Sequence, residues 1–182
     1  MEPLKLIFPT EAHLADIARF RRELLEDGCD ISGCGCLAST SDMTVWLRET
    51  EALRSPETVP EGFSQSTQFL GVRASDGALV GMIQVRHRIE DNDYLRLYSG
   101  HIGYSVRPRE RRKGYATEML RQALEFCREL GLKRVLMTCW PYNEGSKKAI
   151  LNNGGIFESR RYEPYENDMF DRYWIELQEN AP

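Results

Sequence analysis

The spacing of apolar residues predicts a strand and two helices at the start of the chain. Residues 4–8 form an apolar run that ends at Pro9, which favours a short strand. Thr10 suits a helix cap, and apolar residues recur at helical spacing from there to Gly28: Leu14, Ile17, Ala18, Leu24 and Leu25. A second helix, capped by Ser41 or Asp42, is predicted from one inward stripe: Trp46, Leu47, Thr50 and Leu53.

After a predicted loop at residues 54–66, the apolar pattern changes to that of strands. Residues 69–72 and 79–85, joined by the turn signal Asp76-Gly77, predict an antiparallel β-hairpin. A connection rich in acids follows, and its charges either favour a cationic substrate or form a solvated loop: Glu90, Asp91 and Asp93. Residues 100–106 then predict a strand that ends before Pro108.

The most regular helical pattern in the chain begins after Gly114. Its apolar positions follow the i, i+3, i+4, i+7 spacing of an amphipathic helix that ends at Gly131: Ala116, Met119, Leu120, Ala123, Leu124, Cys127 and Leu130. A short strand at residues 135–137, a helix at 143–153 and two strands at 156–162 and 170–177 complete the pattern. A strand, helix, strand crossover of this kind is right-handed and joins parallel strands, so the chain is predicted to be α/β.

Composition and charge narrow the class of protein. With 182 residues and a net charge of −4, the chain fits one domain that repels nucleic acid and anionic lipid. It has no secretory signal and no apolar run of about 18 residues, so we expect a cytoplasmic protein without a membrane partner. An odd cysteine count argues against a disulfide framework, and Cys29, Cys34 and Cys36 lack the spacing of a metal site.

One basic segment departs from this acidic balance. Residues 107–114, RPRERRKG, connect the strand at 100–106 to the amphipathic helix. Cations are unfavourable at a helix N-terminus, because the helix dipole is already positive there, so their clustering indicates an anion site. Gly114 lets a ligand approach the unpaired N–H groups of the helix start, which suits phosphate.

The same segment carries a family resemblance. Residues 111–116, RRKGYA, resemble the [QR]-x-x-G-x-[GA] acetyl-CoA loop of the GNAT superfamily of N-acetyltransferases, which also lies between a strand ending in V-x-P and a long helix. Downstream, residues 143–146 (NEGS) resemble the family's N-x-x-[AS] motif, and residues 154–157 (GGIF) its terminal G-F region. Residues 100–120 and 172–174 (RYW) are similar to a bacterial subgroup of predicted acetyltransferases.

This resemblance implies a fold and a domain layout. The expected fold is a mixed, mostly antiparallel sheet flanked by helices, with a central parallel strand pair. One domain would span residues 1–182. Its helices and loop at about 10–66 would face the substrate, and residues 67–177 would form the acetyl-CoA-binding core.

The resemblance also implies how acetyl-CoA would bind. Its pyrophosphate would lie on the backbone of residues 111–117, its pantetheine arm would add like a strand beside residues 104–106, and Asn143 would hold it further along. The backbone N–H of Val106 would stabilise the oxyanion formed at the thioester. The implied binding residues are Tyr104, Ser105, Val106, Arg111, Arg112, Lys113, Gly114, Tyr115, Ala116, Thr117, Asn143 and Ser146.

The catalytic groups are less well defined by the sequence. His101 lies on the strand beside the expected co-substrate and is the candidate base, or else a structural histidine. The family often uses a tyrosine seven residues after the asparagine as the acid, but Ile150 occupies that position. Tyr142, Tyr162 or water is therefore expected to act as the acid in place of the missing tyrosine.

These features predict an N-acetyltransferase that moves an acetyl group directly from acetyl-CoA to a primary amine. The expected acceptor is a small molecule or a peptide, with no metal and no nucleic acid, and a homodimer fits the family. A non-catalytic acyl-CoA-binding or sensing module is the main alternative, because of Ile150. Nucleic-acid binding through the basic segment is a weaker one.

Overall fold

The computed structural model describes residues 2–177, and the outermost residues of the predicted domain, 1 and 178–182, lie outside the described residues. The elements in chain order are β1 (Leu4–Ile7), α1 (Leu14–Glu26), α2 (Met43–Ala52), β2 (Ser66–Arg73), β3 (Leu79–Arg86), β4 (Ile102–Val106), α3 (Tyr115–Glu129), β5 (Arg134–Cys139), α4 (Glu144–Asn152), β6 (Ile156–Glu163) and β7 (Asp168–Glu176). They form two sheets, ordered β1-β2-β3-β4 and β5-β7-β6.

The four-stranded sheet has a hydrophobic core on each face. Every neighbouring pair in it is antiparallel, including the predicted β2–β3 hairpin. Side chains alternate between the faces, so Phe69 and Ile83 pack in the cluster that contains α3, whereas Leu70 and Met82 pack with α1 and α2. The sheet therefore separates an α3 side from an α1–α2 side.

The two sheets meet where β4 approaches β5. The N–H of His101 donates to the carbonyl of Leu136 at 2.8 Å, and the N–H of Leu136 donates to Nδ1 of His101 at 2.9 Å. Beyond this junction β4 and β5 share no ladder within residues 2–177, so the expected central strand pair is joined at one end and leaves a gap. The predicted α/β fold, with antiparallel sheets flanked by helices, is confirmed.

Local differences from the sequence prediction have physical causes. A 3-10 turn at Glu11–His13 precedes α1, and the inward stripe of α1 includes the fully buried Phe20 instead of Leu25, which is 45% exposed. Phe20 lies three residues after the buried Ile17, on the same face of the helix. The acidic connection also contains a π-helical turn, Leu95–Ser99, that its polar composition does not signal.

No helix among residues 2–177 combines the length and the apolar character that a membrane span needs.

Candidate active site

The segment between β4 and α3 exposes a row of backbone donors. Arg112 and Gly114 both have left-handed backbone angles, with φ of 63° and 88°, and Gly114 is the N-cap of α3. Within residues 2–177 no protein group accepts a hydrogen bond from the backbone N–H groups of residues 112–117. Six unpaired donors in sequence at the positive end of a helix form a site suited to phosphate oxygens.

The cations of this segment are largely engaged by the protein itself. The buried Arg107 lies 3.4 Å from Asp16 and 3.1 Å from Glu23, both on α1. Three acidic partners of the segment lie on α1 or at its C-cap, and the fourth lies in the 3-10 turn of the segment itself: Asp16, Glu23, Asp27 and Glu110. Arg112 is the one cation of residues 107–113 without an ion pair among residues 2–177.

This pairing changes the electrostatic prediction from the sequence. Arg111 lies 2.7 Å from Asp27, and Lys113 lies 3.0 Å from Glu110. Much of the local positive charge is therefore neutralised within the fold, and the backbone donors with Arg112 remain for an external anion. The sequence offered no signal for Asp27, because 84 residues separate it from Arg111.

The edge of β4 that faces the gap has free donors as well. Arg107 N–H donates to the Val80 carbonyl and Arg86 N–H donates to the His101 carbonyl, so alternate residues of this segment bond to β3. In an antiparallel ladder the residues between them point the other way, which directs the N–H groups of Tyr104 and Val106 towards the gap. The β4 edge can therefore accept an extended, amide-containing ligand as an added strand.

Two hydroxyl groups meet across this gap. The phenol of Tyr104 lies 2.9 Å from Oγ of Ser146, at the start of α4, and burial raises the pKa of Tyr104 to about 12. Asn143 caps α4 by accepting the N–H of Ser146 at 3.0 Å. The structure thus brings together three predicted binding residues, while the Ser105 side chain faces the α1–α2 side and donates to the Ser32 carbonyl.

His101 does not have the geometry of a general base. It is 2% exposed, and its Nδ1 lone pair accepts the Leu136 N–H, so the neutral ring carries its proton on Nε2. Burial is the largest influence on the ring and lowers the pKa of His101 to about 4. A neutral ring with its lone pair occupied has none free for an amine proton, and the contacts support the structural alternative.

This histidine should make stability depend on pH. In the folded protein the pKa of His101 lies below the ordinary value of about 6.5. Its contribution to the free energy of unfolding is therefore present above pH 6.5 and is lost as the pH falls towards 4. The expected loss is about 3 kcal/mol of unfolding free energy. His101→Asn keeps an acceptor for the Leu136 N–H without titrating.

Urea unfolding of both proteins at several pH values between 4.5 and 7.5 checks this expectation. The wild type should lose more stability than His101→Asn over that range. Equal pH dependence of stability in the two proteins would contradict the assignment.

The two predicted tyrosine acids lie apart from the hydroxyl pair. Tyr142 is 68% exposed and donates to Asp168 at 2.8 Å, and Tyr162 is 53% exposed and donates to Asn167 at 2.6 Å. Neither contacts Tyr104 or Ser146 through a hydrogen bond within residues 2–177. Ile150, at the position where a tyrosine was expected, is fully buried in the core.

The connection between α1 and α2 packs directly on β4. A side chain at Gly33 would overlap the carbonyl oxygen of Gly103, so the two backbones are in contact. The three clustered cysteines point to different partners: Cys29 donates to Asp27, Cys34 is buried, and Cys36 donates to Glu49. The backbone of this glycine-containing connection is therefore held against the sheet at Gly33.

Comparisons with known proteins agree with this architecture. The "Uncharacterized N-acetyltransferase YnaD" of Bacillus subtilis (strain 168) is 31% identical over 91 residues, 47% of this chain. The match spans about half, 52%, of that relative's length.

Two solved structures share the fold at low sequence identity. The ribosomal-protein-S5-alanine acetyltransferase from Vibrio fischeri has a TM-score of 0.73 at 15% identity, over 100% of this chain and 97% of its own. The microcin C7 self immunity acetyltransferase MccE, solved with acetyl-CoA and AMP, has a TM-score of 0.71 at 12% identity, over 95% and 92% of the two chains.

A family model described as "Acetyltransferase (GNAT) domain" matches residues 4–156, which include β4, the donor-rich segment and the start of α4. The match covers most of the chain and includes the loop and the helix start that carry the exposed donors. The chain belongs to the GNAT acetyltransferase domain family.

Proposed function

We propose that the protein transfers an acetyl group from acetyl-CoA to a primary amine. The observation that carries this proposal is the continuity of two donor sets: the unpaired N–H groups of residues 112–117 and those of Tyr104 and Val106 on the adjoining β4 edge. The N–H groups of the first set can bind the phosphates of the co-substrate, and those of the second set can bind the amides of its pantetheine arm. The acetyl-CoA complex of MccE supports the choice of co-substrate.

The other predicted binding residues would also contact acetyl-CoA bound in this way. Arg112, which has no ion pair among residues 2–177, adds charge for the phosphates, and Gly114 keeps the backbone accessible. Arg111 donates to the Val106 carbonyl at 3.3 Å, so it lies beside the edge that the pantetheine arm would use. Asn143 and Ser146 would hold the arm from the α4 side.

The transfer needs one oxyanion donor and help for the departing sulfur. In the proposed reaction the amine nitrogen bonds to the thioester carbon, and the C–S bond breaks with its electron pair on sulfur. Val106 N–H would stabilise the oxyanion, and the Tyr104–Ser146 hydroxyl pair would donate a hydrogen bond to the sulfur. A thiol pKa of about 8.5 makes full protonation unnecessary, and water would remove the amine proton.

Thiol release from acetyl-CoA in the presence of primary amines tests this proposal. We expect release that depends on the amine, and we expect Tyr104→Phe to lower kcat about tenfold, as is typical of a lost hydrogen bond at a reacting group. The dissociation constant for acetyl-CoA should change little in Tyr104→Phe, because the donor row is intact. An unchanged kcat would remove Tyr104 from the mechanism.

The alternative of an acyl-CoA-binding or sensing module is favoured by one observation. Ile150 is fully buried beneath Gly155, so no hydroxyl reaches the gap from that position. A sensor would bind acetyl-CoA tightly and release no thiol with any amine in a broad panel of amino acids, polyamines, aminoglycosides and peptides.

A further inference from the structure

A set of tyrosine rings surrounds the tip of the β6–β7 hairpin. This tyrosine surface consists of Tyr94, Tyr98, Tyr142 and Tyr165. The ring centre of Tyr94 lies 5.8 Å from that of Tyr98 and 6.1 Å from that of Tyr165. Tyr165 is 84% exposed, and Tyr142 is 68% exposed. Exposed aromatic rings present the negative faces of their π systems, which attract cations.

Carboxylates are held among these rings. Glu163 and Asp168 are cross-strand partners where β6 meets β7, and Glu163 is fully buried. Like charges directly opposite each other destabilise a sheet, and here the backbone N–H groups of Tyr165, Glu166 and Met169 offset part of that cost by donating to the two carboxylates. Asp168 accepts the phenol of Tyr142 at 2.8 Å, and Glu163 accepts the N–H of Tyr165 at 3.1 Å.

Acidic residues act on these rings from two segments, the β6–β7 hairpin and the α1–α2 connection. The pKa of Tyr94 is raised by burial and then by the charges of Glu163 and Glu166. The pKa of Tyr142 is raised mainly by its hydrogen bond to Asp168, with Asp30 on the α1–α2 connection adding to the shift. Negative charge therefore surrounds the tyrosine surface from the hairpin and from the α1–α2 side.

Nearby cations and the acids of the 90–93 connection largely neutralise each other or bind backbone. Arg88 pairs with Asp91 at 3.0 Å, and Arg96 pairs with Asp93 at 2.8 Å. Arg86 donates to the Gly100 carbonyl at 3.0 Å. Asp91 and Asp93 are thus paired locally, and Glu90 accepts the N–H of Ile89 at 3.1 Å. The carboxylates of the β6–β7 hairpin are the ones that contact the tyrosine surface.

The tyrosine surface also adjoins the proposed co-substrate site. Tyr142 directly precedes Asn143, the cap of α4, and its ring stacks at 6.3 Å on Trp140, which follows β5. A ligand that contacts Tyr142 would therefore lie beside the start of α4, where Asn143 is the N-cap.

We propose that the amine acceptor is a diamine or polyamine, whose second positive charge binds the tyrosine surface while its other amine is acetylated. This inference rests on the proposed function and specifies its substrate class. Aromatic faces and carboxylates together recognise alkylammonium groups, and no comparable attraction exists for a neutral acceptor.

A matched pair of acceptors isolates the second charge. 1,5-Diaminopentane and 5-amino-1-pentanol have the same chain and differ in one terminal group. We expect kcat/KM for the diamine to exceed that for the amino alcohol at least about tenfold, mainly through KM, and the preference to shrink with added salt. Equal values for the two acceptors would overturn the proposal.

Two variants test whether the tyrosine surface causes the preference for the diamine. Asp168→Asn and Tyr165→Ala should reduce the ratio to less than about threefold while the rate with the amino alcohol is kept. Asp91→Asn is the control, because Asp91 is an exposed acid paired with Arg88, and it should keep the full ratio. A preference unchanged in both Asp168→Asn and Tyr165→Ala would place the second charge elsewhere and overturn the assignment.

Direct binding separates this inference from the proposed function. Equilibrium dialysis of 1,5-diaminopentane in the presence of CoA needs no turnover. Binding that Asp168→Asn weakens, without any thiol release, would sustain the cation site and reject the acetyl transfer. Thiol release that is equally efficient with the amino alcohol and with the diamine would support the acetyl transfer and reject the cation site.

Discussion

Gly114→Glu is expected to raise the dissociation constant for acetyl-CoA at least about 100-fold, since it adds a carboxylate at the anion site. Gly114 has φ of 88° and directly precedes α3, among the unpaired donors of residues 112–117. A side chain there would stand between the ligand and the backbone, and its negative charge would repel phosphate. Isothermal titration with acetyl-CoA measures the loss.

Gly62→Glu is the matched control for this substitution. Gly62 has φ of 83° in an exposed loop, and an added Cβ there meets no atom within 4 Å. It therefore carries the same backbone strain and the same charge without the anion site. Unchanged affinity in Gly114→Glu, with both variants folded by circular dichroism, would show that acetyl-CoA binds elsewhere.

Among the glycine substitutions, Gly33→Ala should lower the free energy of unfolding the most. The added methyl group would overlap the Gly103 carbonyl, so the α1–α2 connection must move off β4. That movement would break the bond from Ser105 to the Ser32 carbonyl and the bond from Gln68 to the Gly33 carbonyl. We expect a loss of about 3 kcal/mol beyond the left-handed backbone penalty, from overpacking and lost hydrogen bonds.

Gly35→Ala, two residues away, measures the backbone penalty alone. Gly35 also has positive φ, at 58°, but its Cβ would lie no closer than 3.8 Å to any neighbour. It should cost about 1–2 kcal/mol of unfolding free energy. Urea denaturation of the two variants gives the difference, and equal losses would mean that the connection does not rest on β4.

Local patterns explain why much of the fold could be predicted. The apolar spacing of α3 and its glycine boundaries depend on neighbours within four residues, and the α3 prediction was accurate to within about one residue. The hairpin of β2 and β3 follows from alternation around Asp76-Gly77 for the same reason. The segment proposed to bind acetyl-CoA resembles a family motif whose positions are contiguous, so it could be located from the sequence alone.

Contacts between distant residues explain what could not be predicted. Nothing near Arg111 indicates that Asp27 binds it, and nothing near His101 indicates that Leu136 uses its lone pair. The meeting of Tyr104 with Ser146 likewise joins two segments 42 residues apart. Each depends on how β4, β5 and the helices pack, which periodicity does not encode.

The two-sided core of the four-stranded sheet has a consequence for how this protein can diversify. Successive residues of β2 and β3 serve opposite cores: Phe69 and Ile83 belong to the α3 side, whereas Leu70 and Met82 belong to the α1–α2 side. A substitution at one position therefore repacks one side and leaves the other in place. Mutational drift can therefore repack the α1–α2 side of the sheet while the α3 side, next to the segment proposed for acetyl-CoA, keeps its packing.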